Sequence, residues 1–528
     1  MPRSLCCPVN RMYGAGSCLF RISCRPSSKR SEPMQYKRPL LPKWFREEKR
    51  SNRRDSDMRQ FVKHVPLGWI LSNVWIFIIT GAAFTKFAKS INLPDSYFGF
   101  LAAAPFIGAL FQIPASIMLE CFGHRKATAV SCFLIGRFMW VLVALIPWVV
   151  PEDQESLRWG LLVGLVTVNW IFNNLAGPAN TAWLADAVPP SLRGRFVSFC
   201  LRWSQPVILA VVLGVGFLID IAEKAQARQP LLMLKLCSML LALGGMIGFF
   251  AILRHALAPD PKPVVGKGWN PQLLYNLKKP LANRAFRRYL LVNFIFLIGT
   301  GFIGQYIWLY MFDVGNMTAF MANLLMVAMQ RLVTMFTYRF WGRRIDQHGK
   351  KPVMLLCMSV MTVGFMGWVI AGQGGLVHLL IALPIVIVEA ACLPGWEITN
   401  LNILLDFSSS KQGGTSAAVA INAMAIAIGG IISGALGSLF ASVFKGVHIE
   451  FPALDMVITY HVMLMLLVVV IRFIVCLLIL RLDEPKATAT RDLLRDVSTN
   501  IFHNTRQAIL MPTRIVGQVT RWTYKLKQ

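Results

Sequence analysis

Charge is scarce in this chain, and acidic charge is the scarcer sign. Of 528 residues, 25 are Asp or Glu and 54 are Lys or Arg, so charged residues make up only 15% of the whole. A soluble protein of this length carries about a quarter. That deficit, beside 55% hydrophobic residues, argues against a water-soluble globule. The chain also has no Gly-x-x-x-x-Gly-Lys-Ser/Thr phosphate loop, so no ATP-driven motor of that kind is expected within it. No His/Cys spacing makes a metal site, and neither metal nor cofactor is expected. No catalytic side chains cluster at one end of the apolar blocks, which counts against a polytopic enzyme. Ten of the eleven cysteines fall in the N-terminal tail or in apolar blocks and Cys121 just after one, none in a loop assigned to the outer face, so no disulfide framework is expected. Cys132, Cys200, Cys237 and Cys476 suit small core positions.

What is present is a series of apolar blocks, such as Leu67–Lys86, Tyr97–Leu119, Leu232–Leu253 and Val457–Leu480. Each is about as long as a helix needs to cross a hydrocarbon core of roughly 30 Å. Backbone groups in lipid must be satisfied internally, so these blocks read as helices. A barrel would show short alternating segments instead. Twelve spans are expected, at 67–89, 97–119, 128–150, 158–187, 197–220, 232–255, 288–311, 318–341, 352–372, 377–405, 415–441 and 457–482. The fourth and tenth exceed what a bilayer needs. Each contains a Pro and a Gly side by side, Gly177 with Pro178 and Pro394 with Gly395, which loosen a helix. The fold class is therefore all-α and polytopic, with two six-helix halves at 67–255 and 288–482.

The formal charge of +29 invites a nucleic-acid reading, but the basic residues lie mainly in two tails and a few short loops. That is the positive-inside pattern, so no nucleic-acid partner is expected. One set of loops carries His124, Arg125, Lys126, Arg193, Arg195, Arg339, Arg343, Arg344, Lys350 and Lys351. The other set is poorer, with exceptions at Lys86, Lys89, Arg158, Lys224, Arg228 and Lys445. The bias puts both termini in the cytoplasm, and a bacterial inner membrane is the default location, with an organelle as the alternative that the N-terminal stretch leaves open. Residues 1–66 form a basic tail whose first acid is Glu32. It has a transit-peptide composition, or else the start lies downstream at Met34 or Met58. It lacks the apolar region of a secretory signal. The stretch 256–287 reads as a linker, with Pro259, Pro261, Pro263, Gly266 and Gly268 before a basic run. The tail 483–528 places Leu493, Leu494, Val497, Ile501 and Ile509 in an amphipathic pattern, for the inner leaflet or for solvent.

The chain repeats itself weakly. Gly342, Asp346, Gly349, Lys350 and Lys351 form a loop after the eighth span. After the second span, Glu120, Gly123, Arg125 and Lys126 occupy matching places, with Ser116 where the first glycine would stand. The fourth and tenth spans end alike, Asp186 being followed by Arg193-Gly194-Arg195 and Asp406 by Gly413-Gly414. The loop at 342–351 resembles the signature of the major facilitator superfamily, with Gln347 where that family commonly has Arg. The resemblance covers about 60–485. It implies a secondary transporter, in which the signature loops latch helices on the cytoplasmic side and act as a gate. It also implies a structural ion-pair group made of Asp186, Arg193, Arg195 and Arg202.

Ionisable residues at membrane depth are functional hypotheses by default. Glu389 lies near mid-depth in the tenth span, and Glu397, Trp396 and Asn400 fall on nearly the same helical face. Glu389 and Glu397 are candidate proton carriers, or partners of a buried Arg137, Arg202, Arg331 or Arg472. Asn169, Asn173 and Asn180 share a stripe of the fourth span, which either lines a polar cavity or bonds between helices. Gln305, Tyr306 and Trp308 of the seventh span, with Trp396 and Asn400, are further candidates for a substrate cavity. Arg137, deep in the third span, has no assigned role at this level. The expected function is transport of a small solute by alternating access, with proton coupling as an option. The partners expected are the lipid bilayer and a small-molecule substrate, and the chain is expected to be a monomer. The rival is a non-transporting sensor or assembly protein on the same scaffold.

Overall fold

Glycine, proline and polar pairs punctuate the apolar runs, and the helices stop, bend or restart there. The computed structural model describes residues 52–188, 190–226, 228–229, 231–260, 279–370, 375–408, 415–447, 449–451, 456–484 and 488–499. Twelve helical segments among them are long and apolar enough to cross a membrane. In the first half, α1 (Asn52–Ile79) with α2 (Ala82–Ser90) and α3 (Asp95–Ala109) with α4 (Gln112–Phe122) make the first two spans. They are followed by α5 (Arg125–Val149), α6 (Glu155–Ala187), α7 (Pro190–Ala225) and α8 (Leu232–Ala256). In the second half, α9 (Arg284–Thr300) and α10 (Ile303–Asp313) make the seventh span. The eighth is α11 (Ala319–Asn323), a π-helical stretch Leu324–Met329 and α12 (Gln330–His348). Next come α13 (Lys350–Ile370), α14 (Gly375–Ser408), α15 (Thr415–Phe444) and α16 (Tyr460–Leu480). A last helix, α17, spans 490–499.

Three features differ from the sequence expectation. First, spans one, two and seven are broken, where hydropathy predicts continuous helices. The breaks at Gly81 and Gly301 lie in the first span of each half. At the second break the freed N–H of Phe302 donates to the Ser433 hydroxyl of α15 at 3.0 Å, as an apolar surround demands. Second, α1 starts at Asn52 rather than near 67, and Pro66 lies within it. Third, a small antiparallel hairpin joins α15 to α16, with Ile449 paired to Ile458 and Phe451 to Met456. The tail at 1–51 and the linker core at 261–278 lie outside the described residues.

The two halves meet unevenly. Helix α3 runs along α15, α7 packs on α11 and the π-helical stretch, and α10 touches α2 and α3. These helices approach to backbone contact. A Cβ added at Gly99 of α3 would lie 2.4 Å from the Gly434 carbonyl oxygen of α15, and one at Gly434 would lie 2.5 Å from that of Gly99. Glycine is required there because no side chain fits between the helices. Away from that end, α4, α5, α6 and α8 make their sustained contacts within the first half, and α9, α12, α13 and α14 within the second. The α4–α5 and α12–α13 turns lie on this separated side, which is called the signature face below. The opposite, joined side is the far face.

Candidate transport site and gates

The turns on the signature face follow from two glycines. Gly123 ends α4 at φ 71° and Gly349 ends α12 at φ 95°, a region other residues avoid. Each turn delivers a cation to the end of another long helix of its own half. Arg125 pairs with Asp186 at the end of α6, and Lys350 pairs with Asp406 near the end of α14. The repeat legible in the sequence is thus a repeat of ion pairs. Both are partly exposed, where such pairs contribute about 0–1 kcal/mol.

The other signature residues divide. Asp346 and Gly342 lie in the last turns of α12, and Asp346 is exposed with no ion pair among the described residues. The carboxylate that accepts from the N-terminus of α13 is Glu484, from the N–H of Lys350 at 3.0 Å and of Lys351 at 2.6 Å. A carboxylate there complements the helix dipole. The Lys351 ammonium donates to the carbonyl oxygens of Leu480 and Leu482 at 2.8 and 2.7 Å. The side chains of Glu120, Arg193 and Arg195 lie outside the described ones. Arg202 is exposed, with no ion pair among the described residues, so Asp186 is held by Arg125 rather than by Arg202.

The apolar residues of the amphipathic tail divide, Leu493 and Val497 packing inward while Leu494 is exposed. Leu493 of α17 is 0% exposed and packs with Trp341, Ile345, Val353 and Cys357 of α12 and α13. Asp496 approaches Arg344 and His348 of α12 at 3.4 and 3.6 Å, and the Thr488 N–H donates to the His348 carbonyl at 3.0 Å. Helix α17 therefore rests on the second signature turn. Ile501 and Ile509 lie outside the described residues.

The far face is bolted across the halves. Lys89 pairs with Asp313. The Tyr460 hydroxyl donates to the Asp95 carboxylate at 2.9 Å, and the Tyr306 hydroxyl to the Asp95 carbonyl at 3.1 Å. Asp220 of α7 accepts from the Phe320 N–H at the start of α11, and Asn323 donates to the Val212 carbonyl at 2.9 Å.

The candidate cavity residues scatter across these roles. Tyr306 belongs to the far-face closure. Trp308 is packed in the main core beside Phe312, and the Oε1 of Gln305 is buried with no hydrogen-bond partner among the described residues. Trp396 stacks on Phe296 at 4.5 Å, and Asn400 accepts from the Tyr289 hydroxyl at 2.6 Å, so both knit α14 to α9. Asn173 donates to the Asn169 side-chain oxygen at 2.8 Å, and Gly136 lets α5 approach that pair. Asn180 of the stripe lines a cavity.

Two acids lie in the second half. Glu389 of α14 is ion-paired with Arg472 of α16 at 2.5 Å. Arg472 is 5% exposed, also donates to the Met361 carbonyl, and lies over the Phe365 ring at 4.6 Å. Glu397 is exposed and accepts from the Tyr338 hydroxyl at 2.7 Å. Arg331, two helical turns before Tyr338 on nearly the same face of α12, reaches across to the Phe77 ring of α1 at 5.1 Å.

A cavity of about 270 Å³ lies in the first half, between α1, α5, α6 and α8. Its walls include Trp69, Trp75, Phe133 and Trp183, with Ser72, Asn73, Asn180 and His255 as further polar lining. Arg137 lines it at 5% exposure. The Arg137 guanidinium carbon lies over the Trp75 ring, 3.1 Å from its centroid. Gly248 of α8 makes room for both, since a Cβ there would meet Trp75 at 2.7 Å and Arg137 at 2.8 Å. The sequence reading flagged Arg137 by its depth but not its surroundings. Phe133 lies one turn before Arg137 on α5, but the three tryptophans come from α1 and α6, and no local period joins those to Arg137.

Residues 69–417, two thirds of the chain, match the family model for the Major Facilitator Superfamily. The chain belongs to that superfamily. Solved structures of superfamily transporters agree in fold. The nucleoside transporter NupG is similar with a TM-score of 0.58 at 13% identity, over 81% of this chain and 98% of that one. A bacterial homologue of the human lysosomal transporter Spinster, inward-facing and unoccupied, gives 0.55 at 15%, over 83% and 100%. The xylose transporter XylE from E. coli, in an inward open conformation, gives 0.57 at 14%, over 83% and 99%. No curated protein is a significant match by sequence. The Arg137 cavity is read from this chain's own residues.

Proposed function

We propose that this protein is a secondary transporter that moves a small solute by alternating access. The observation that carries the proposal is the uneven contact between the halves. Hydrogen bonds, ion pairs and glycine-to-glycine contacts join them at the far face, while among the described residues the helices of the signature face make their sustained contacts within their own half. Rocking of one half against the other about a central solute opens each face in turn. Arg125–Asp186 and Lys350–Asp406 hold the turns within each half as it moves as a body. The signature face is cytoplasmic, as its Lys and Arg excess indicates. The protein acts as a monomer, in a bacterial inner membrane, and it performs transport rather than catalysis.

Proton coupling runs through Glu389 in this reading. Its pair with Arg472 is largely buried, and protonation of the carboxylate would release a cation held deep in the second half. Glu397 and Tyr338 stand on the same half as a second, more exposed acid pair.

The test is uptake of a solute library into proteoliposomes with and without an imposed pH gradient. The expected result is uptake of at least one solute, accelerated by the gradient, with the acceleration lost in Glu389→Gln. Gradient-independent uptake, or acceleration surviving in Glu389→Gln, removes the coupling role. A wholly silent library favours a non-transporting sensor on the same scaffold.

A further inference from the structure

We infer that the Arg137 cavity binds the anionic group of the solute, so that the transported class is a small organic anion carrying a carboxylate or a phosphate on an apolar body. This rests on the transporter reading and adds the substrate class to it.

The chemistry starts from donors without acceptors. The Nε and Nη1 of Arg137 have no hydrogen-bond partner among the described residues, and neither has the indole N–H of Trp75 or of Trp183. All three side chains line the cavity and are at least nineteen-twentieths buried, at 5%, 3% and 1% exposure. Guanidinium and indole N–H groups donate only. Whatever satisfies them must therefore bring acceptors.

Charge narrows the class. Arg137 makes no ion pair among the described residues, and no Asp or Glu lines the cavity. A guanidinium buried without a counter-charge is costly, and the ring of Trp75 offsets only part of that cost. Trp75 holds the guanidinium carbon over its ring, and the Nε and Nη1 hydrogens are left without acceptors among the described residues. Those N–H groups fit the paired oxygens of a carboxylate or phosphate. A neutral acceptor would satisfy the hydrogen bonds but leave the charge uncompensated.

The rest of the wall sets the body of the ligand. Trp69, Phe133 and Trp183 give it apolar, aromatic faces. The volume lies near the lower end of the roughly 300–1,000 Å³ usual for ligand pockets, which favours a small solute. Access follows from α1. Asn73 lies one helical turn before Phe77, the residue stacked against Arg331 of the other half, so the Asn73 side of the cavity borders the space between the halves. A solute entering from the signature face meets Arg137 before the closed far face.

The experiment is a thermal-shift titration of the purified full chain against a matched library. Carboxylates, phosphate monoesters and their neutral amide or alcohol counterparts would share the same small aryl and alkyl bodies. Anions are expected to raise the melting temperature and their neutral counterparts to leave it unchanged. Which anion series responds identifies carboxylate or phosphate. Trp183→Phe keeps the packed ring and removes one donor; Arg137→Gln removes the charge. Both should weaken apparent affinity, Arg137→Gln by at least about tenfold. Neutral members binding as well as the anions, a library with no anion response, or an undiminished response in both variants would each overturn the inference. Should Arg137→Gln fail to fold, Trp183→Phe alone decides it. Uptake of the same compounds separates the two claims: a neutral solute transported without anion preference leaves the transporter and removes the anion, and binding without transport of any member does the reverse.

Discussion

Replacing Gly99 with valine should push the protein away from the conformation described here. The added Cβ would sit 2.4 Å from the Gly434 carbonyl oxygen, 2.5 Å from the Ser438 amide nitrogen and 2.7 Å from the Ser438 Cβ. Two of these three atoms are helix backbone, so relief requires α3 and α15 to separate. Overpacking of this kind costs about 1–3 kcal/mol. Only the far-closed conformation bears that cost if α3 and α15 part when the far face opens. At about 1.4 kcal/mol per tenfold, the ratio of far-open to far-closed molecules rises roughly 5- to 150-fold. Double electron–electron resonance would read it in a background freed of native cysteines. Labels at Glu152→Cys and Gly446→Cys report the far face, and labels at His124→Cys and Gln347→Cys report the signature face. The expected result is a longer far-face distance together with a shorter signature-face distance. Gly160→Val is the control, because a Cβ there meets nothing within 4 Å. A folded Gly99→Val protein with both distributions unchanged would refute the claim that this contact holds the far face shut.

Other outcomes follow from the same geometry. Removing one member of the Glu389–Arg472 pair, as in Glu389→Gln or Arg472→Met, should destabilise by about 3–5 kcal/mol, whereas the double variant should recover most of that loss in a thermal melt. Leu493→Ala should undock α17 at a cost of about 2 kcal/mol or more, visible as faster hydrogen exchange at 490–499 and at the α12–α13 turn. Gly349→Ala forces a side chain into φ 95° and should lower stability by about 1–3 kcal/mol in a chemical melt, with no comparable loss for Gly342→Ala, where a Cβ meets nothing within 4 Å.

The spans were legible because hydropathy and length act locally, and lipid allows few alternatives to a helix. The breaks at Gly81 and Gly301 were not, because glycine is common in apolar helices and the deciding partner, the Ser433 hydroxyl, comes from a helix 131 residues away. The signature turns were legible from their glycines. Their ion-pair partners were only half legible: the matching ends at Asp186 and Asp406 were noticed, but the pairing of Asp186 with Arg125 depends on how α4, α5 and α6 converge. The largest misplacement concerns the candidate cavity. A shared helical stripe tells which residues lie together, not which neighbour they meet. Trp396 and Asn400 therefore proved to be contacts with α9, and Tyr306 part of the far-face closure. Arg137 showed the converse. Its depth marked it as unusual, but its meaning rests on three tryptophans that only the packing of α1, α5, α6 and α8 brings within reach.

Alternating access is tested most directly by tethering the far face during solute exchange. Lys89→Cys and Asp313→Cys, whose native side chains are ion-paired across the halves, would be joined by a cleavable bifunctional reagent in proteoliposomes, and counterflow of a transported solute measured. The account predicts that exchange stops when the tether is in place and returns when it is cleaved. Exchange that continues at full rate through a tethered far face would contradict it.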